Sequence, residues 1–163
     1  MKKRIHQIEL FMKYPHDVQD ELFKKLINQA RHTEFGMAHD FTSISSYDKY
    51  TERVRVNTYE EFFPHIQRLM RGEQNVLWPS EIKWFSKSSG TTNSRSKFIP
   101  VSAESMEDCH FKGGKDLLSI YVNSVPHTNI FDGKGLAVGG SLQINEFDPT
   151  ATSYYGDVSA VLM

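Results

Sequence analysis

The chain has 163 residues, 39% hydrophobic, 12% aromatic and 24% charged, with 19 basic and 20 acidic side chains giving a net charge of −1. Domains run to roughly 100–200 residues, so one domain or one portion of a larger domain is expected. The near-neutral balance argues against a dedicated nucleic-acid binder, and the ordinary apolar content argues against disorder. The lone cysteine, Cys109, excludes an internal disulfide framework and suits a reducing compartment. No run approaches the ~20 apolar residues of a membrane helix. Glu9 and Lys13 break up the apolar residues behind the basic start Met1-Lys2-Lys3-Arg4, which makes it a poor signal peptide. Cytoplasm is the expected location.

A helical start is predicted over about residues 5–36. Val18, Leu22, Phe23, Leu26, Ile27 and Ala30 recur at helical spacing. Pro15 suits the first turn, where its missing N–H costs nothing, and Gly36 is the expected stop. The Ser-, Tyr- and Asp-rich segment from Phe41 to Thr51 reads as loop, and Val54-Arg55-Val56 as a short strand. Thr58 and Glu61 then match a capping box, in which hydroxyl and carboxylate each accept an otherwise free N–H. Phe62, Phe63, Ile66, Leu69 and Met70 form an apolar face behind it, ended by Gly72, with a kink or restart expected at Pro64.

Ile82-Lys83-Trp84-Phe85 and Phe98-Ile99-Pro100-Val101 read as strands, the second at an edge because of its proline. Ser102 is placed to cap a helix that turns Met106, Cys109, Gly113, Leu117, Ile120 and Tyr121 inward, with close packing expected at Gly113-Gly114. Leu136 to Ile144 suggests one or two more strands. The alternation predicts an α/β fold. The chain ends on the apolar run Val158 to Met163, where a polar terminus is usual, so a chain cut within an element is expected.

The densest chemistry lies between the two strands, in residues 86–97. Seven of the thirteen residues Phe85 to Lys97 are hydroxyl-bearing. Ser88, Ser89, Thr91 and Thr92 surround Gly90, and Lys97 follows. Successive N–H groups in a tight turn form an anion-binding nest, hydroxyls add donors, and a lysine adds a point charge for phosphate oxygens. The common P-loop pattern is absent, since Arg95 and then Phe98 stand where it needs glycine and Ser or Thr. On composition alone, a flexible surface loop is the favoured reading, since such runs are common linkers.

Ser88-Ser89-Gly90-Thr91-Thr92, then Lys97 and Pro100, resembles the phosphate loop of the adenylate-forming superfamily. The longer pattern is similar to one branch, the auxin-responsive acyl acid–amido synthetases and their bacterial relatives. Leu22, Leu26, Ala30 and Thr33-Glu34-Phe35-Gly36 resemble its N-terminal helix and ending. Val54, Val56, Tyr59-Glu60, Pro64-His65-Ile66 and Gly72 resemble the stretch that follows. Two departures are Arg55, where the family often has proline, and Asn93-Ser94, where many members carry glycine. The family's later aromatic-x-Ser-Ser-Glu and Tyr-Arg-x-Gly-Asp motifs do not occur in these residues.

The resemblance implies that residues 1–163 are a single, incomplete N-terminal portion of the large domain of a longer ligase. The implied reaction adenylates a small carboxylic acid with ATP and magnesium (Mg2+), then forms an amide with an amino acid. It implies that Ser88, Ser89, Gly90, Thr91, Thr92 and Lys97 hold phosphate. The implied partners are those two substrates and the remainder of the enzyme chain, with no nucleic acid and no membrane. The chain alone is expected to be inactive, and the alternative is a non-catalytic remnant that binds a nucleotide or a partner.

No catalytic residue is singled out. The seven histidines show no ligand spacing, and adjacent Cys109 and His110 point apart on a helix; a buried Cys109 is the expectation. Gly133, Gly135 and Gly139-Gly140 do not match a dinucleotide fingerprint, and Asp132-Gly133 reads better as a turn before a strand. Trp78, Trp84 and Phe85 are expected in the core rather than in an acyl pocket.

Overall fold

A computed structural model describes residues 2–88, 96–145 and 153–161. The fold is mixed α/β: a helical N-terminal part, then a four-stranded mixed sheet interrupted by a long helix.

Three helices open the chain: α1 (Lys2–Lys13), α2 (Pro15–Ala30) and α3 (Glu34–Ala38). Pro15 takes the first turn of α2, as expected. Gly36 is not the stop. α2 ends at Ala30, and Gly36 lies buried inside α3, where an added Cβ would collide with the Ala30 carbonyl. Thr33 is what separates the two helices. Its hydroxyl donates to Ala30 O at 2.7 Å and accepts from Gly36 N–H at 3.0 Å. The Glu34 and Phe35 N–H groups, unpaired within α3, donate to the carbonyls of Asn75 and Val76.

The expected loop after Phe41 contains a 3₁₀ turn (Phe41–Ser43) and a helix, α4 (Tyr47–Arg53). Ser46 caps α4 by accepting from Lys49 N–H, a signal hidden within a serine-rich stretch. Val54 to Val56 pairs with no strand, and Val56 is 99% exposed. The capping box forms as expected and starts α5 (Tyr59–Met70). Thr58 N–H donates to Glu61 Oε2 at 2.8 Å, and Glu61 N–H donates to Thr58 Oγ. α5 runs through Pro64 without a restart. Ile66, Leu69 and Met70 face a core completed by Val76, Ile82 and Phe85. A second core joins Ile27 and Ala30 to Phe41 and Ile44, and Trp78 packs against both.

The sheet comprises β1 (Trp84–Lys87), β2 (Phe98–Val101), β3 (Leu142–Asn145) and β4 (Ser153–Gly156), in the order β2-β1-β4-β3. β1 begins two residues later than expected. It runs antiparallel to β2, with Lys87 opposite Phe98, and parallel to β4, with Phe85 opposite Tyr155. Alternation along the strands puts Phe85, Lys87, Phe98 and Tyr155 on the face that α5 covers. Trp84 and Tyr154 stack at 4.7 Å on the other face.

Ser102 starts a helical run over 103–124, made of α6 (Ala103–Ser105), a π-helical turn (Met106–Phe111) and α7 (Lys112–Ser124). The expected inward face is reversed. Leu117 is 70% exposed, Cys109 is exposed, and added Cβ atoms at Gly113 and Gly114 meet nothing among the described residues. Arg4 of α1 and Asp116 of α7 form an ion pair between the two helices. The π turn shifts the helical register, which explains why a uniform 3.6-residue period misplaces this face. From Leu136 to Ile144 only β3 forms, and a short α8 (Val158–Val161) follows β4.

Candidate functional site

The site is built at the open end of the β1–β2 pair. Ser88 and Lys97 close it. Ser88 N–H donates to the Lys97 carbonyl at 2.9 Å, and Lys97 N–H donates to Ser88 Oγ at 3.0 Å. The Ser88 hydroxyl acts here as an acceptor, and a hydroxyl oxygen that accepts can still donate its own proton. Ser86 and Lys87, expected in the loop, belong to β1. Ser89, Gly90, Thr91 and Thr92 lie outside the described residues.

Tyr59, the first residue of α5, braces this end. β2 is an edge strand, and alternation turns the backbone of Phe98 outward, away from β1. The Tyr59 hydroxyl takes both of its groups, accepting from Phe98 N–H at 2.8 Å and donating to Phe98 O at 3.3 Å. One side chain thus does what a neighbouring strand would do. Its ring also lies under the Lys97 ammonium, with Nζ 5.1 Å from the centroid. Pro100 sits on the same outer edge, where a missing N–H costs no ladder bond.

A second lysine repeats the arrangement. Lys87 Nζ lies 5.8 Å from the Tyr155 ring, and Tyr155 meets Phe98 edge-on at 5.5 Å. Each of the two lysines therefore lies over a tyrosine ring, Lys97 over Tyr59 and Lys87 over Tyr155. Both lysines are exposed, and neither forms an ion pair with a described residue. Sequence reasoning noticed Tyr59 only as part of a pattern and gave Lys87 no role. The signal for Tyr59 is its place at the start of a capped helix, and that for Lys87 its symmetry with Lys97 about the hydroxyl-rich run.

The remaining candidates resolve as structure. Phe85 is fully buried in the core. Trp78 joins the two cores, and Trp84 is stacked on Tyr154. Gly133 takes a positive φ of 109° directly after a turn closed by Asp132 N–H on Asn129 O, but the strand expected behind it begins only at Leu142. Among the described residues no three His, Cys, Asp or Glu side chains gather where they could hold a metal ion. None of the described helices is long and apolar enough to cross a membrane.

Comparison with known proteins places this geometry in context. The sequence model described as the GH3 family N-terminal domain matches residues 4–163. A jasmonoyl–L-amino acid synthetase, JAR6, of Nicotiana attenuata is 30% identical over 107 residues, which are 65% of this chain and 18% of that protein. An indole-3-acetic acid-amido synthetase, GH3.2, of Arabidopsis thaliana is 27% identical over 106 residues, 64% of this chain and 19% of that protein. The solved structure of GH3.15 acyl acid amido synthetase superimposes with a TM-score of 0.77 at 18% identity, covering 99% of this chain and 28% of that one. The chain thus spans less than a fifth of the length of these two curated relatives.

Proposed function

The chain belongs to the GH3 family through its N-terminal domain, and we propose that it supplies the phosphate-holding surface of an ATP-dependent acyl acid–amido synthetase. The observation that carries this reading is the Ser88–Lys97 closure. The ends of two strands are pinned together where the hydroxyl-rich, glycine-bearing stretch of the sequence begins and ends, and Ser88 and Lys97 stand at that closure.

In this reading a carboxylate oxygen attacks the α-phosphorus of ATP, and the bond to the β-phosphate oxygen breaks. Its electron pair leaves with pyrophosphate. An amino acid's amine then attacks the acyl-adenylate carbonyl and displaces AMP. Negative charge grows on phosphate oxygens in the first step, and fixed donors already aimed there lower the barrier without reorganising. Ser88, Ser89, Gly90, Thr91 and Thr92 are assigned to cradle phosphate, and Lys97 to meet its outer oxygens. Tyr59 holds Lys97 and β2 in place.

The described residues offer no carboxylate cluster that fits magnesium, so the ion is assigned to the nucleotide's own phosphates. The substrate classes are a small carboxylic acid and an amino acid, as the names of the two curated relatives suggest, and the cytoplasm is the proposed setting. The 163-residue chain is proposed as the N-terminal portion of the catalytic unit and inactive alone.

The test is carboxylate-dependent exchange of labelled pyrophosphate into ATP by the intact protein, across a panel of aryl and aliphatic acids. Exchange that needs both an acid and magnesium supports the reading. A folded protein that exchanges with no acid in the panel, yet binds ATP, would leave the non-catalytic nucleotide-binding alternative standing. Exchange by the isolated 163-residue chain would refute its proposed inactivity.

A further inference from the structure

We propose that the cavity between α1 and α7 binds a small phosphate group, free or carried as a phosphomonoester. The inference does not rest on the adenylation reading and uses none of the residues assigned there. The cavity has a volume of about 330 Å³ and is lined by Arg4 and Gln7 of α1 and by Glu107, Lys112, Lys115 and Ser119 of the helical run that follows β2.

Helical spacing gathers the second set. Lys112, Lys115 and Ser119 share one face of α7. Glu107 joins them through the π turn. At 3.6 residues per turn, eight residues would set it about 80° around the helix from Lys115. The wider turn over Met106–Phe111 absorbs roughly one residue's rotation and returns Glu107 to that face. Its carboxylate lies 3.9 Å from Lys115 Nζ, close enough to pair but too far to hydrogen-bond. The Lys115 ammonium thus donates to no described residue.

Two further donors stand ready. Asp116 holds Arg4 through two hydrogen bonds, and Arg4 donates a third to Gln7 Oε1 at 2.9 Å. A guanidinium only donates, so the Gln7 oxygen is the atom engaged, and its NH2 group has no partner among the described residues. Ser119 is 3% exposed, yet its hydroxyl bonds to no described residue. A buried polar group without a partner is unfavourable, and a ligand oxygen there relieves it. Of the described residues, three cations and one carboxylate line the cavity. Ammonium, amide and hydroxyl donors at separate points match the several oxygens of a phosphate better than the two of a carboxylate. Glu107 opposes the anion and keeps the affinity modest.

The experiment is calorimetric titration of the intact protein with inorganic phosphate and, separately, with glycerol 3-phosphate. All variants carry Lys97→Ala, which removes the ammonium assigned to nucleotide phosphate, and thermal melts establish folding. Lys115→Gln is expected to lose about tenfold in affinity and Ser119→Ala about fivefold. Glu107→Gln is expected to bind severalfold tighter, a gain that a merely structural role would not produce. Lys49→Gln, an exposed lysine on α4, is expected to match the parent. The probe that binds tighter identifies the source of the phosphate. A parent that binds neither probe overturns the proposal, as do unchanged affinity in Lys115→Gln, weaker binding in Glu107→Gln, or an equal loss in Lys49→Gln. Pyrophosphate exchange scores the synthetase reading separately, so either result stands without the other.

Discussion

Ser88 and Lys97 grip each other through two hydrogen bonds, at 2.9 and 3.0 Å, that engage the backbone of Lys97 and not its ammonium. Fold and function are thereby separated within one residue. Lys97→Ala is expected to leave the melting temperature within a degree or two and to weaken ATP binding in the intact enzyme at least tenfold. An ATP affinity equal to wild type, measured by titration, removes Lys97 from the site.

Ser88→Ala behaves differently, because its Oγ accepts the Lys97 N–H. Losing that acceptor predicts a stability loss of about 1 kcal/mol together with weaker nucleotide binding. Urea unfolding of Ser88→Ala beside Lys97→Ala checks the contrast. Equal stabilities for the two variants would show that the closure contributes nothing.

Tyr59→Phe keeps the ring beneath Lys97 and strips the hydroxyl from the outer edge of β2. The Phe98 N–H and carbonyl then lose their shared partner. The expected cost is about 1–2 kcal/mol, with faster amide exchange at Phe98. Tyr59→Leu removes the ring as well, and its added effect is expected in ATP affinity rather than in exchange at Phe98.

Glycines give a pair of opposite signs. Gly36→Ala drives a methyl group into the Ala30 carbonyl and predicts a loss of about 1–3 kcal/mol. Gly113→Ala meets open space on α7 and gains helix propensity, so a gain of about 0.5–1 kcal/mol is expected. Thermal melts of both variants decide it; a destabilised Gly113→Ala would reveal a neighbour packed closely against that face.

Asp40 is one of several carboxylates that contribute to acid stability. The Ser43 and Thr42 hydroxyls and Arg53 hydrogen-bond its carboxylate and hold it down to about 2 from the usual 3.8. A carboxyl whose folded value lies below its unfolded value binds protons more readily when unfolded. Its stabilising contribution is therefore full above about pH 4 and is lost as pH falls toward 2. Glu34, lowered by its hydrogen bond to Arg68, has the same sign. Asp40→Asn is expected to flatten the fall in melting temperature across that window, and an unchanged slope refutes the assignment.

What was legible in the sequence is what depends on neighbours a few residues away. The Thr58–Glu61 box, the first-turn Pro15 and the edge-compatible Pro100 are local chemistry, and each stands where expected. β4 was missed because Ser153–Gly156 has no apolar alternation and is a strand only because β1 and β3 lie on either side. The same holds at the site. The hydroxyls announced themselves by composition, whereas Tyr59 and Tyr155 earn their roles from chain about forty and seventy residues from the strands they serve.

That last separation has a consequence for synthesis. β1 and β2 are close enough in sequence to pair as soon as both leave the ribosome, but the other edge of β1 waits for β4, about seventy residues later. At roughly 5–20 residues per second, that edge stays open for several seconds. During that time it carries unpaired N–H and C=O groups beside Trp84, a template for pairing with another chain. Nascent chains stalled between the two strands are thus the stage at which a chaperone has most to protect.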